Sequence, residues 1–288
     1  MLNPDGVAAG HFRQDLYGNN LNRHYVDPHP EIHAPVFGAK AVVMHYASRP
    51  RGRGRLTLYL DLHAHASMRG CFMYGNHLPG LGDQAENQLL PLLMTCNTPH
   101  FDFTSCNFSL KHMSRVDSGA DGLSAEGTGR VFYGRHAGII RSYTLECNYN
   151  TGKGMCNAIP RAYGSRGAQY ASPERNQAPP PKYHPEIWRD VGRGFLKALL
   201  DAEGVSLWSR LPLSRFRSLE KAREFLLNDL RSQLPYREQS LQLRRPLVLR
   251  RRLFHRRLLR CCYRLPPIPQ SCADCHRKGR PVAILVPR

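Results

Sequence analysis

The sequence predicts an α/β fold, because segments with the apolar period of a strand and segments with that of a helix both occur in its first 204 residues. Residues 56–63 alternate leucines with more polar side chains, which is the period of two that is typical of a β-strand. Residues 185–203 carry apolar side chains every three or four positions, begin at Pro185 and are followed by Gly204, as expected of an amphipathic helix.

The remaining elements follow from shorter patterns of the same two kinds. Pro35 suits the first turn of a helix, and Gly75 ends a short apolar run that is typical of a strand. Pro91 lies inside another periodic segment, where we expect it to kink a helix. We therefore predict helices over 35–47, 83–96, 185–203 and 214–231, and strands over 56–63, over 71–74 and within 131–147.

Charge divides the chain into an ordinary part and a basic part. Residues 205–288 hold 20 Lys and Arg against 5 Asp and Glu, whereas residues 1–204 hold 21 against 17. We therefore predict a globular domain over 1–204, a helical extension over 205–240 and a disordered tail, rich in Arg and Pro, over 241–288. The alternative for the tail is that its arginine clusters bind nucleic acid or an acidic protein segment.

Cysteine usage and hydropathy indicate an intracellular protein. The nine cysteines are odd in number and irregularly spaced, which is typical of reduced thiols. The first residues lack the basic and apolar regions of a signal peptide, and no apolar run approaches the roughly 18 residues that would span a bilayer. The cysteines near the C-terminus leave two alternatives to free thiols. Residues 272–276 match the C-x-x-C-H pattern of haem attachment, and Cys261, Cys262, Cys272 and Cys275 could together form a zinc site.

Side chains that can bind a metal or transfer a proton lie at the ends of two predicted strands. Asp61, His63 and His65 are spaced two apart and share one face while the strand continues. Glu146 lies near the end of a second predicted strand, and several arginines and asparagines precede residue 24. A histidine, a glutamate and arginines suit metal-assisted hydrolysis of a substrate that carries a carboxylate. The alternative is that these residues have no catalytic role, the histidines lying at the surface and the glutamate being solvated or paired in a salt bridge.

Four motifs in this order resemble the M14 metallocarboxypeptidases, and specifically their cytosolic carboxypeptidase branch. They are Asn3-Pro4-Asp5-Gly6-Val7, Asn20-Leu21-Asn22-Arg23, Asp61-Leu62-His63-Ala64-His65 and Tyr143-Thr144-Leu145-Glu146. The resemblance runs from Asn3 to about Gly204. It implies a mixed sheet flanked by helices on both faces, which is the C-terminal portion of a zinc carboxypeptidase catalytic domain. It also implies removal of glutamate from polyglutamylated tubulin or other glutamylated proteins, in the cytoplasm and also in the nucleus.

The resemblance assigns a role to residues at both strand ends. His63 matches a zinc ligand of the family. Glu146 matches the general base that takes a proton from the zinc-bound water and returns it to the leaving amine. Arg13 matches the arginine that polarises the scissile carbonyl and stabilises the oxyanion. Zn2+ is accordingly the cofactor that we expect.

The resemblance also assigns the substrate-binding residues. Asn22 and Arg23 match the pair that binds the free α-carboxylate, and a guanidinium group suits this role because it donates two parallel hydrogen bonds. Arg130 lies where the family lines its specificity pocket, so we expect it to bind a glutamate side chain.

The sequence departs from the family pattern at its beginning. The family's other two zinc ligands belong to an H-x-x-E segment that precedes the Asn3–Gly6 turn, and this sequence begins at that turn. We therefore expect one of the three protein ligands of a catalytic zinc site. Two alternatives to an active deglutamylase remain: an inactive fragment that keeps the substrate-binding residues, and a protein that binds nucleic acid through its basic tail.

Overall fold

A computed structural model describes residues 1–50, 54–117, 122–153 and 179–234. The predicted tail, the four cysteines at 261–275 and the nucleic-acid alternative that rests on the tail all lie outside these residues. The α-helices of the described residues are α1 (Pro4–Ala8), α2 (Ala34–Ala47), α3 (Leu81–Asn97), α4 (Leu110–Met113), α5 (Gly129–His136), α6 (Pro185–Ala202) and α7 (Leu219–Ser232). The strands are β1 (Leu58–His65), β2 (Cys71–Tyr74) and β3 (Arg141–Asn148).

The three strands form a mixed sheet in the order β1-β3-β2. The central strand β3 runs parallel to β1 and antiparallel to β2. Its residues are buried along almost the whole strand, as expected of a strand that is paired on both sides and covered on both faces. The register places His63 of β1 opposite Glu146 of β3, so the two residues carry their side chains to the same face of the sheet.

Two apolar clusters cover the two faces of this sheet. One contains Tyr143 and Leu145 of β3 together with buried side chains of α3, α6 and α7. The other contains Tyr59 of β1 together with side chains of α2 and α5. The predicted α/β fold with flanking helices is therefore confirmed. In the described part of the chain, no helix is both long and apolar enough to cross a membrane.

Most of the predicted elements form within two residues of the predicted bounds, and two differ. The helix predicted over 214–231 begins only at Leu219, after its N-cap Ser218. The predicted strand within 131–147 begins only at Arg141, because residues 129–136 form helix α5 instead. Thr128 caps this helix, its hydroxyl accepting a hydrogen bond from the backbone N–H of Val131 at 3.4 Å. Gly138 has a φ of +64°, a left-handed conformation that glycine tolerates, in the turn between α5 and β3.

Pro91 lies inside α3, which is assigned continuously from Leu81 to Asn97. A proline has no backbone N–H, so the carbonyl of Asn87, four residues earlier, loses its helical donor. The Tyr143 hydroxyl of β3 replaces that donor at 2.7 Å. Because both groups are buried, this hydrogen bond joins the central strand to the central helix.

We expect Tyr143→Phe to lower the free energy of unfolding by about 1–3 kcal/mol, because it leaves the buried Asn87 carbonyl without a donor. Tyr133→Phe is the matched control, since the Tyr133 hydroxyl is buried and lacks a hydrogen-bond partner among the described residues. We expect that control to be neutral or stabilising. Urea unfolding of the three proteins measures the difference, and equal stability of the two variants would contradict the role of Tyr143.

Candidate active site

The parallel pairing of β1 and β3 creates the centre of the site. His63 Nδ1 lies 3.7 Å from Glu146 Oε1, and His63 Nε2 lies 3.0 Å from Asp61 Oδ2. Asp61 and His63 are two apart on β1, so both side chains leave the same face of the strand. Asp61 therefore holds one ring nitrogen of His63, while the other nitrogen faces Glu146.

The charge of His63 is set by its two acidic neighbours. Burial alone would lower the pKa of His63, but the Asp61 carboxylate, with a smaller contribution from Glu146, outweighs burial and raises that pKa to about 9. A metal ion on His63 would compete with this proton, since only the neutral imidazole is a ligand.

Glu146 is a buried carboxylate, and one of its two oxygens, Oε2, lacks a hydrogen-bond partner among the described residues. Burial raises the pKa of Glu146 to about 7, because the attraction of His63 and Arg130 offsets burial only in part and Asp61 adds to the rise. A pKa near neutrality suits a group that accepts and returns a proton.

The loop that carries Asn22 and Arg23 docks beside this centre. Asn22 Nδ2 lies 3.4 Å from His63 Nε2, and Asn22 Oδ1 accepts a hydrogen bond from the N–H of Gly129 at 3.2 Å. The Tyr25 N–H donates to the Gly127 carbonyl at 3.0 Å. A Cβ atom at position 127 would collide with the Arg23 carbonyl, so this close approach requires glycine. The loop is therefore held against the segment that begins α5.

Arg23 and Arg13 share one carboxylate that the sequence did not indicate. Arg23 Nε and Nη2 donate to the two oxygens of Asp117 at 2.8 and 3.0 Å. Arg13 Nη2 lies 3.5 Å from Asp117 Oδ2, and the Arg13 side chain is 56% exposed. The structure thus brings both arginines together, although with Asp117 between them.

Arg130 is a buried cation without an acidic partner. Its Nη1 donates to the Gly75 carbonyl and to Asn76 Oδ1, and its Nη2 lies 3.4 Å from His112 Nδ1. No carboxylate of the described residues lies within ion-pair distance of it. Burial lowers the pKa of Arg130 to about 10, which still leaves it charged at neutral pH. A buried cation that has only neutral partners is a suitable site for an anionic group of a ligand.

Two aromatic rings lie beside Arg130. The rings of Tyr74 and His112 pack against each other with centroids 4.1 Å apart and planes tilted by 31°. Burial, together with the charges of Arg130 and two other arginines, lowers the pKa of His112 to about 4, so its ring is neutral at physiological pH. In the tautomer that carries the ring proton on Nε2, the Nδ1 atom accepts the Arg130 hydrogen bond. Sequence reasoning gave no role to Tyr74 or His112, since only the fold places them beside Arg130.

His65 has a different task from His63, although the two lie on the same face of β1. Its Nδ1 accepts hydrogen bonds from the N–H groups of Ser67 and Met68 at 3.3 and 2.9 Å, which closes the turn after the strand. Its ring packs edge-on against Phe72. Its Nδ1 is therefore occupied by the turn, and its Nε2 lies 3.5 Å from the Tyr74 hydroxyl.

The residues present suit one ligand of a metal site and a carboxylate beside it. The His63 Nδ1 atom faces Oε1 of the buried Glu146, whose Oε2 lacks a hydrogen-bond partner among the described residues. Asp61 contacts the other ring nitrogen, as carboxylates do behind histidines that bind a metal. His63 is therefore suited to be a ligand and Glu146 to act beside it. Within the ranges that the structure describes, no three His, Cys, Asp or Glu side chains are grouped to hold a metal ion by themselves.

Comparison with known proteins finds carboxypeptidases among the relatives of this chain. No family model matches the chain. Cytosolic carboxypeptidase-like protein 5 of Danio rerio is 35% identical over 324 residues, covering 81% of this chain and 36% of that protein. Cytosolic carboxypeptidase 6 of Mus musculus is 31% identical over 229 residues, covering 77% and 36%. A solved metallo-carboxypeptidase from Burkholderia cenocepacia has a TM-score of 0.48 at 19% identity, over 70% of this chain and 43% of that one.

The similarity to cytosolic carboxypeptidase-like protein 5 shows the class of protein: the chain belongs to the M14 metallocarboxypeptidases, a family of hydrolases. Within that family it is similar to cytosolic carboxypeptidase-like protein 5, and it spans about a third of the length of that relative. The family implies a metal, generally zinc.

Proposed function

We propose that the protein is a zinc-dependent carboxypeptidase that releases glutamate from the chain ends of glutamylated proteins, including tubulin. The observation that carries this proposal is the pairing of His63 with Glu146, a buried carboxylate with one unpartnered oxygen. The names of the relatives support carboxypeptidase activity and a cytoplasmic location. The nuclear location stays a prediction from the sequence.

The proposed mechanism uses groups that the structure brings together. Zinc, when bound with His63 among its ligands, would supply a Lewis acid at this position. Glu146 accepts a proton from the attacking water and delivers it to the amine that leaves. Arg13 is the donor to the oxygen that becomes negative in the transition state. Its exposed side chain has the freedom to move from Asp117 toward a bound substrate.

Substrate selection follows from the two remaining cationic groups. Asn22 and Arg23 would bind the free α-carboxylate, which restricts cleavage to a chain end. Arg130 would bind the carboxylate of the terminal glutamate side chain, since it is charged, buried and bonded only to neutral groups. Two separate cationic positions therefore match the two carboxylates of a terminal glutamate.

A second candidate is a protein that binds glutamylated chain ends without hydrolysing them. It is favoured by the lack of a three-ligand group among the described residues. In that case Arg23 and Arg130 would bind substrate in the same way, while Glu146 would have no metal-assisted reaction to serve.

Zinc content and glutamate release, measured on the same sample, separate these candidates. The purified full chain is incubated with a polyglutamylated peptide after dialysis against zinc, and in parallel after treatment with a chelator. The enzyme predicts bound zinc and free glutamate that the chelator abolishes. Peptide binding without zinc and without glutamate release would support the second candidate and overturn the first.

A further inference from the structure

Asp117 joins two arginines for which different tasks are proposed. Both of its oxygens accept hydrogen bonds from Arg23, and one of them also lies 3.5 Å from Arg13. Two guanidinium groups this close repel each other unless an anion lies between them. Burial would raise the pKa of Asp117, but Arg23 and then Arg13 outweigh burial and lower that pKa, so the carboxylate is charged.

The backbone holds Asp117 in place independently of its side chain. The Asp117 N–H donates to the Leu123 carbonyl at 2.9 Å, and Val116 pairs with Ser124 in an antiparallel bridge. The Ala125 N–H donates to the Arg115 carbonyl at 2.8 Å. These hydrogen bonds hold the backbone from Arg115 to Asp117 against residues 123–125, and the Asp117 carboxylate in turn pairs with Arg23.

The contacts of Arg23 leave part of its guanidinium group available. Three of its five N–H groups are used: Nε and one on Nη2 donate to Asp117, and one on Nη1 donates to the Asn22 carbonyl at 2.9 Å. One N–H on each terminal nitrogen remains for a ligand. Because Arg23 is only 13% exposed, it has little freedom to find another orientation while Asp117 holds it.

We propose that Asp117 is the positioning residue that orients Arg23 for a free α-carboxylate and thereby sets the preference for a chain end. The inference rests on the proposed function, because it assumes that Arg23 binds this carboxylate. The opposite role, in which Asp117 occupies Arg23 in competition with the substrate, predicts the reverse effect of the same substitution.

Binding of two peptides tests the proposal without any need for turnover. A peptide ending in glutamate is compared as the free acid and as the C-terminal amide, by calorimetry, with the full-length wild-type chain and with Asp117→Asn. We expect the wild type to prefer the acid, and Asp117→Asn to lose about tenfold in affinity for the acid with little change for the amide. Asp117→Glu, which keeps the charge, is expected to restore part of the preference.

Controls separate orientation from folding and from failure of the proposed function. Asp229→Asn makes the same change of charge on the exposed side of α7, and we expect it to bind like the wild type. Circular dichroism checks that Asp117→Asn is folded. If the wild type does not distinguish acid from amide, the proposed function of Arg23 fails. If the wild type does distinguish them, an unchanged or tighter affinity of Asp117→Asn for the acid overturns the positioning role.

Discussion

Replacing Glu146 by Gln is expected to slow glutamate release by about 10²–10⁴-fold, because an amide cannot accept the proton of the attacking water. The substitution keeps the size of the side chain and removes its charge from a buried position, so we expect the fold to persist. Release of glutamate from a polyglutamylated peptide measures the rate, and calorimetry with the same peptide measures binding, which should be nearly unchanged.

The matched control for this substitution is Glu224→Gln, since Glu224 lies exposed on α7, which packs in the cluster on the opposite face of the sheet from Glu146. It should keep the full rate. A rate for Glu146→Gln within a few fold of that control would show that Glu146 is not the general base.

Replacing Arg130 by Met is expected to remove the preference for glutamate over glutamine at the end of the peptide. A charge-assisted hydrogen bond to a buried cation contributes about 1.5–3 kcal/mol, which corresponds to a ratio of affinities of roughly 10–100. Methionine fills much of the same volume without a charge. The measurement is the ratio of affinities for two peptides that differ only in their last residue, so loss of some folded protein cancels from it.

Arg130→Lys is the companion variant, because it keeps the positive charge but not the planar guanidinium group whose Nη1 donates to Gly75 and Asn76. We expect it to retain part of the preference for glutamate. If Arg130→Met selects glutamate as well as the wild type does, the specificity of the site lies elsewhere and Arg130 serves only to hold the segment at Gly75 and Asn76.

Elements with a clear period were predictable from the sequence. The leucines of β1 and the apolar stripe of α6 have only one regular structure that buries them, and both form where the patterns indicate. Residues 131–133, Val-Phe-Tyr, favour a strand by composition but form part of α5. The cap at Thr128 and burial of Val131, Phe132 and Tyr133 against the sheet outweigh that local preference.

The candidate site was predictable only as a set of positions. Motifs indicated His63 and Glu146, but their facing arrangement depends on the register of β1 with β3. The pairing of Arg23 with Asp117 joins residues 94 apart in the chain, and no local pattern indicates it. His112 beside Arg130 depends likewise on how the segment around α4 folds over β2.

The sharpest test of the proposed carboxypeptidase is mass spectrometry of one peptide that ends in several glutamates, prepared both as the free acid and as the C-terminal amide. Both forms are incubated together with the zinc-dialysed full chain. The site on β1 and β3 predicts that the acid shortens by one glutamate at a time while the amide stays intact. Shortening of both forms, or cleavage at internal bonds, would contradict a site that recognises a free chain end, and an intact acid would contradict the enzyme.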